Sequence, residues 1–284
     1  MSAPEIQFSP GKYIAPFVDW FNTNLHGVSK AISVVVEISL RAIEGALLAL
    51  PPLAVIAIVA ITVALIVRVR VAVLAAVMLG YCLISGLWIA SMQTIALVSV
   101  AVLISVSIAF PLGILASRVK RFDAAVRPVL DVMQTVPPWV YLIPAVMIFS
   151  LGRVPAIIAT VVYGIPPMLR LTTLALNQVP KEMVELGIAM GATKRSILFK
   201  IEIPLATPTL LVGLNQCILL SLAMVVLAGL VGGGGLGAEV TRGLTRMEMG
   251  LGLRAGLAIV AVALLLDRVS RGLLNRNNRP LAAR

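Results

Sequence analysis

Residues 177–208, "NQVPKEMVELGIAMGATKRSILFKIEIPLATP", form a charged, glycine-punctuated island between two long apolar runs. Pro180 suits the first turn of a helix, and Glu182 and Glu185 near that end complement the helix dipole. Met183, Leu186, Gly187 and Met190 are expected to share one face. Gly191 permits a sharp turn, and Thr193 can cap a second short helix. Ile197, Leu198 and Ile201 give that second helix an apolar side before Pro204 opens the next run. The result is a helix-turn-helix knob with a small, apolar exposed face rimmed by charge. Such a shape suits insertion into a groove on another protein.

The runs on either side set the fold class. Of the 284 residues 60% are apolar and only 12% charged, with a mean hydropathy of +1.05. Soluble domains average about 25% charged residues. A helix crosses a bilayer with about 20 predominantly apolar residues. The chain is therefore read as an all-α polytopic membrane protein with about seven spans, near 46–67, 71–89, 93–117, 128–150, 154–173, 205–231 and 252–270. The second and third nearly fuse, with the break expected at Trp88–Thr94 and Trp88 as an interface anchor. Before them, Ile14, Phe17, Val18, Phe21 and Leu25 make one amphipathic stripe, and Ile32, Val35, Val36, Leu40 and Ile43 a second. Residues 1–44 thus read as helices lying at the membrane surface or against neighbouring spans. No basic region and cleavage site mark a leader, so the segment reads as retained.

Charge orients the bundle. Sixteen of the 23 Lys and Arg fall in one set of loops: Arg68/Arg70, Arg118–Arg127, Arg170–Lys200 and the tail from Arg268. By the positive-inside rule these are cytoplasmic, which puts the N-terminus outside and the C-terminus inside. The island at 177–208 is then cytoplasmic. The net charge of +11 does not mark a nucleic-acid binder, because its basic residues are dispersed between spans and form no continuous stripe.

Several function classes lack their chemistry. Cys82 and Cys217 sit inside apolar runs as small hydrophobes, and His26 has no ligand grouping, so no metal site is expected. Gly232, Gly234 and Gly237 satisfy G-x-G-x-x-G but follow an apolar span instead of a strand. With Gly233 and Gly235 they read as a flexible external turn, leading to a short helix with Glu239, Arg242 and Arg246. "GIAMGATK" (187–194) lacks the Gly-Lys-Ser/Thr that cradles phosphates. The chain carries no ATPase of its own and no catalytic set.

Within the spans, Pro137, Pro138, Pro144, Pro166 and Pro167 are expected to interrupt helices, as at transport pathways. Gln134, Asn215 and Gln216 lie at the same depth, serving either interhelical hydrogen bonding or substrate contact. Asp131 is an acid in an apolar setting, either on the pathway or paired with Arg127. Trp139, Tyr141 and Tyr163 either pack or offer ring faces to a quaternary ammonium.

Glu185, Gly191 and, nine residues on, "IEIP" (201–204) resemble the EAA signature of ABC importer permeases, with Leu186, Gly187 and Ile203 departing from the usual residues. The stretches 130–180, 214–237 and 249–271 are similar to glycine betaine/proline permeases of bacterial osmoprotectant importers, whose relatives carry choline, carnitine, trimethylamine oxide, proline or histidine. The resemblance covers about residues 91–272. It implies a type I ABC importer transmembrane domain there, preceded by two accessory spans at 45–90 and followed by a basic tail at 273–284. It also implies a multi-pass bacterial inner-membrane location and a two-fold assembly of two copies within membrane lipid. A cytoplasmic ATPase subunit holding ATP and Mg would engage a coupling helix at about 180–203, through Glu182, Glu185, Gly187, Gly191, Ile201 and Pro204. A binding protein would deliver the solute near the glycine turn. An ion-coupled secondary transporter is the rival class, but it would show an internal repeat or paired intramembrane acids, and neither is evident.

Overall fold

The computed structural model describes Pro16, Trp20, Phe21 and residues 23–277, with His26 and residues 273–277 as backbone alone. Ile14, Phe17 and Val18 of the first amphipathic stripe lie outside the described residues, as does the end of the basic tail. Every regular element among the described residues is helical: α1 (His26–Leu48), α2 (Pro52–Ile66), α3 (Val69–Ile84), α4 (Trp88–Arg118), α5 (Lys120–Thr135), α6 (Leu142–Phe149), α7 (Arg153–Asn177), α8 (Lys181–Ala189), α9 (Lys194–Ile197), α10 (Ile203–Ala228), α11 (Gly235–Thr245) and α12 (Met249–Asn277). Short 3₁₀ turns at Pro138–Tyr141 and Gly229–Val231, and a π turn at Leu198–Glu202, join them.

The bundle is built around α7, which packs along both α4 and α10, while α12 lies against α10, α11 and α3. In lipid no hydrophobic force favours one helix contact over another, so small residues that admit close backbones decide the partners. Gly113 of α4 is one. A methyl there would stand 2.6 Å from the Thr172 Cβ of α7. Gly164 of α7 is another, facing Ser105 of α4 and Ser221 and Cys217 of α10 at 3.0–3.2 Å from its would-be Cβ.

Among the described residues four helical runs are long and apolar enough to cross a membrane: α4, α7, the continuous Lys194–Val231 run and Met249–Gly272. Two bent pairs pass the same test together, Gly27–Leu48 with Pro52–Ile66 at 96° and Lys120–Thr135 with Pro138–Phe149 at 108°. The apolar helix Val69–Ile84 is shorter. The expected span at 128–150 is therefore a bent pair and not one straight helix. Val136 and Pro137 are extended there (ψ 129° and 138°), the conformation that a following proline favours.

Pro166 and Pro167 do not interrupt α7; both are buried inside it. An opened backbone at that depth would find no water to bond, and packing on both sides holds the helix on course. The break between the second and third expected spans falls at 85–87, ahead of Trp88, with Gly86 at φ +73°. Trp88 is buried in the packing of α2, α3 and α12 instead of anchoring at an interface. On α1, Val36 and Leu40 are buried while Ile32 and Val35 are exposed, so this helix packs against the bundle, chiefly α4.

Candidate functional site

The 177–208 island folds as a helix-turn-helix. Pro180 is the N-cap of α8, Gly191 turns at φ +76°, and Thr193 Oγ1 accepts the Ser196 amide at 3.2 Å to cap α9. The amides of Gly191 and Ala192 close the turn on the carbonyls of Ile188 and Gly187 at 2.9 and 3.0 Å. Glu182 and Glu185 are exposed beside the apolar row Met183, Leu186 and Met190, whose last two members are 55% and 78% exposed. Gly187 does not share that outward face. It is buried, and a methyl there would stand 2.6 Å from Ile201 Cδ1 and 3.3 Å from Ile197 Cγ1. Its smallness lets α8 lie on the following helix.

Behind this segment, an open groove of about 930 Å³ runs to the end of α4, lined by Ile114, Arg118, Val184, Ile188, Arg195 and Glu202. Glu202 was not singled out from the sequence. It closes the π turn, is 3% exposed, and is ion-paired with Arg118. A carboxylate between the two isoleucines of "IEIP", opening a membrane run, was the available signal. Pro204 is exposed at the start of α10.

A second cluster surrounds the bend between α5 and α6. Asp131 pairs with Arg170 of α7, whereas Arg127 pairs with Asp123 at 2.6 Å; of the two alternatives for Asp131, the pair with Arg127 is not formed. These four groups line a cavity of about 400 Å³ with Leu169 and Thr173. Gln134, Pro137 and Trp139 are exposed around the bend. The rings of Tyr141 and Tyr163 lie 6.1 Å apart, and Tyr141 donates to the Met133 carbonyl at 2.5 Å. Asn215 and Gln216 part company. Gln216 is exposed, but Asn215 is buried and donates to Asp267 Oδ1 at 3.3 Å while accepting from Ser270 of α12. Arg271 donates to the same Asp267 oxygen at 2.7 Å. Asn215→Ala strips buried partners from Asp267 and Ser270 and is expected to cost about 1–3 kcal/mol. Gln216→Ala should stay within about 0.5 kcal/mol. Thermal unfolding of the purified protein separates the two.

The glycine segment is packed, not a free turn. Gly232, Gly234 and Gly235 have φ of +81°, +80° and +64°. Gly233, Gly235 and Gly237 are buried. A methyl at Gly229 would stand 2.2 Å from the Gly237 backbone, so α11 folds tightly back on the end of α10. Its helix carries Glu239 and Arg242, paired at 2.9 Å, with Arg246 as its C-cap. Among the described residues no three His, Cys, Asp or Glu side chains are grouped to hold a metal.

Comparison with known proteins identifies the family. Residues 109–279 match the family described as the binding-protein-dependent transport system inner membrane component. The chain is 39% identical over 272 residues, 94% of its length and 77% of the relative's, to the glycine betaine/proline betaine transport system permease protein ProW of Escherichia coli (strain K12). It is 44% identical over 198 residues, 69% of its length and 70% of the relative's, to the glycine betaine transport system permease protein OpuAB of Bacillus subtilis (strain 168). Its fold resembles that in an inward-facing structure of the MetNI methionine ABC transporter, with a TM-score of 0.60 and 23% identity over 66% of this chain and 93% of that one. The chain belongs to the family of inner membrane components of binding-protein-dependent transport systems, as a multi-pass ABC permease whose ATPase is a separate subunit.

Proposed function

We propose that this permease imports glycine betaine, proline betaine or a closely related quaternary-ammonium solute. The observation that carries the reading is 39% identity across nearly the whole chain to a glycine betaine/proline betaine permease. In this reading about seven spans run from an external N-terminus to a cytoplasmic C-terminus, and two copies form the pathway. Residues 45–90 supply accessory spans, 91–272 the permease domain, and 273–284 a basic cytoplasmic tail.

The cytoplasmic knob of α8 and α9 meets an ATPase subunit. Its exposed Met183, Leu186 and Met190 offer apolar contact, Glu182 and Glu185 offer charge, and Gly187, Gly191, Ile201 and Pro204 hold its shape. Asp131, Gln134, Pro137, Trp139, Tyr141, Tyr163 and Gln216 border the solute's route. Asn215 serves to hold α10 to α12. The glycine segment 232–237 faces the binding protein. A permease of this kind needs only weak solute contacts, since tight selection resides in the binding protein, where aromatic faces suit N-methylated cations.

The test is uptake by proteoliposomes holding this chain with its ATPase and binding protein. Labelled glycine betaine should accumulate only with ATP inside and binding protein outside, ahead of choline, carnitine, trimethylamine N-oxide, proline and histidine. Preference for one of those solutes would reassign the substrate. Uptake that ignores ATP and follows an ion gradient would overturn the importer reading.

A further inference from the structure

Side chains from three helices far apart in sequence join in a network that reaches the glycine segment. Glu44 of α1 accepts from Arg153 of α7 at 2.7 Å through one carboxylate oxygen and from the Gln93 amide of α4 at 3.0 Å through the other. The Gln93 carbonyl oxygen then accepts the Gly235 backbone N–H at 3.2 Å. Next to it, Thr94 Oγ1 accepts the Leu236 N–H at 2.8 Å. Gly235 and Leu236 are the first residues of α11, whose opening amides have no partner within the helix. Two side chains of α4 supply those partners. On the other side, the Gly152 amide bonds the Val231 carbonyl at 2.9 Å.

The chemistry allows this network one orientation. A carboxylate only accepts, and a backbone amide only donates. Gln93 must therefore turn its NH₂ to Glu44 and its oxygen to Gly235. Without Glu44 the bond on the NH₂ side is lost, and only the Gly235 amide still holds the Gln93 side chain at the turn. Glu44 and Gln93 both precede residues 109–279, the part of the chain that the family match covers. The glycine segment lies within it.

We infer that Glu44 is a positioning residue that latches the glycine turn shut through Gln93, so that α1 governs when the end of α10 and the start of α11 open. This rests on the permease reading for its role in transport, but the latch itself does not depend on which solute is carried. The turn is held closed by side-chain bonds to its backbone, and the glycines let it adopt a different shape once those bonds are released.

Thiol labelling of the assembled transporter tests the latch. Cys82 and Cys217 are both buried, so background labelling is low. Leu236 is fully buried beneath the turn, and Leu236→Cys reports its opening; Leu230, 61% exposed beside it, reports folding and access as Leu230→Cys. Glu44→Ala should speed labelling at 236 about tenfold while leaving labelling at 230 unchanged. Glu44→Gln, which can still accept from Gln93, should give about threefold and serves as well if the alanine variant folds poorly. Gln93→Leu should match Glu44→Ala, and combining the two should add less than twofold, because they act on one bond. Unchanged labelling at 236 in both Glu44 variants would overturn the latch, as would multiplicative effects of Glu44→Ala and Gln93→Leu. Loss of ATP-driven uptake in the otherwise unaltered protein would count against the importer reading alone.

Discussion

Gly187→Leu is expected to cut ATP-driven uptake more than tenfold while leaving the amount of protein in the membrane within twofold. The ideal Cβ at 187 lies 2.6 Å from Ile201 Cδ1 and 3.3 Å from Ile197 Cγ1, so α8 rests directly on the helix that leads into α10. The nearest atom is the far end of a flexible side chain. Gly187→Ala therefore needs only a rotation of Ile201, and uptake should stay within threefold of the unaltered protein. Leucine adds three further carbons for which the contact has no room. Overpacking of this kind costs about 1–3 kcal/mol, which corresponds to a factor of roughly 5 to 150. The strain is relieved by lifting α8, which carries Met183, Leu186 and Met190 on its outer side. Since α8 is exposed and contributes little to the bundle, insertion and folding should persist. The measurement is uptake per transporter alongside ATP hydrolysis per transporter; hydrolysis that continues while uptake falls is the signature of lost coupling. Normal uptake by Gly187→Leu would mean that the seat of α8 on Ile197 and Ile201 does not carry movement between subunits.

The contrast between Gly187 and Gly191 illustrates what was legible in the sequence. The turn at Gly191, the cap at Thr193 and the helix start after Pro180 follow from local chemistry, and all three stand where the residues put them. The facing of Gly187 depends on how α8 folds back on Ile197 and Ile201, a contact between two helices that periodicity within one helix cannot reveal. The same division runs through the bundle. Apolar runs located α4, α7, α10 and α12, because lipid imposes a length on each. Pro137 and Pro138 marked the 108° bend, yet Pro166 and Pro167 sit within an unbroken helix, since packing on α4 and α10 outweighs their local cost. Ser85 and Gly86, and not Trp88–Thr94, carry the local signal for the break between α3 and α4. The polar pairs were least legible. Glu44 with Arg153, Asp131 with Arg170 and Asn215 with Asp267 join helices 39 to 109 residues apart, and no spacing rule connects them.

Arg118→Ala should destabilise the protein more than Glu202→Ala, although the two side chains form one ion pair. The Glu202 side chain is 4% exposed and the Arg118 side chain 48%. Removing Arg118 leaves a carboxylate buried among α4, the π turn and α10 with its charge unpaired. Breaking a buried pair in this way costs about 3–5 kcal/mol, and the partial exposure of Arg118 places this case near 3 kcal/mol. Removing Glu202 leaves an arginine that already reaches water, at a cost of about 1 kcal/mol. Glu202→Gln retains the shape and a hydrogen-bonding oxygen, so it should resemble the milder case. The pair Arg118→Ala with Glu202→Leu removes the stranded charge and should recover most of what Arg118→Ala alone loses. Thermal unfolding of the four purified variants reads these differences directly. Equal losses for Arg118→Ala and Glu202→Ala would show that burial of the carboxylate is not the source. Because Glu202 ends the π turn between the α8–α9 knob and α10, the same pair fixes the angle at which the knob joins the span. Variants that keep most of their stability, Glu202→Gln foremost, are therefore the ones in which a residual loss of uptake per ATP hydrolysed isolates that geometric contribution.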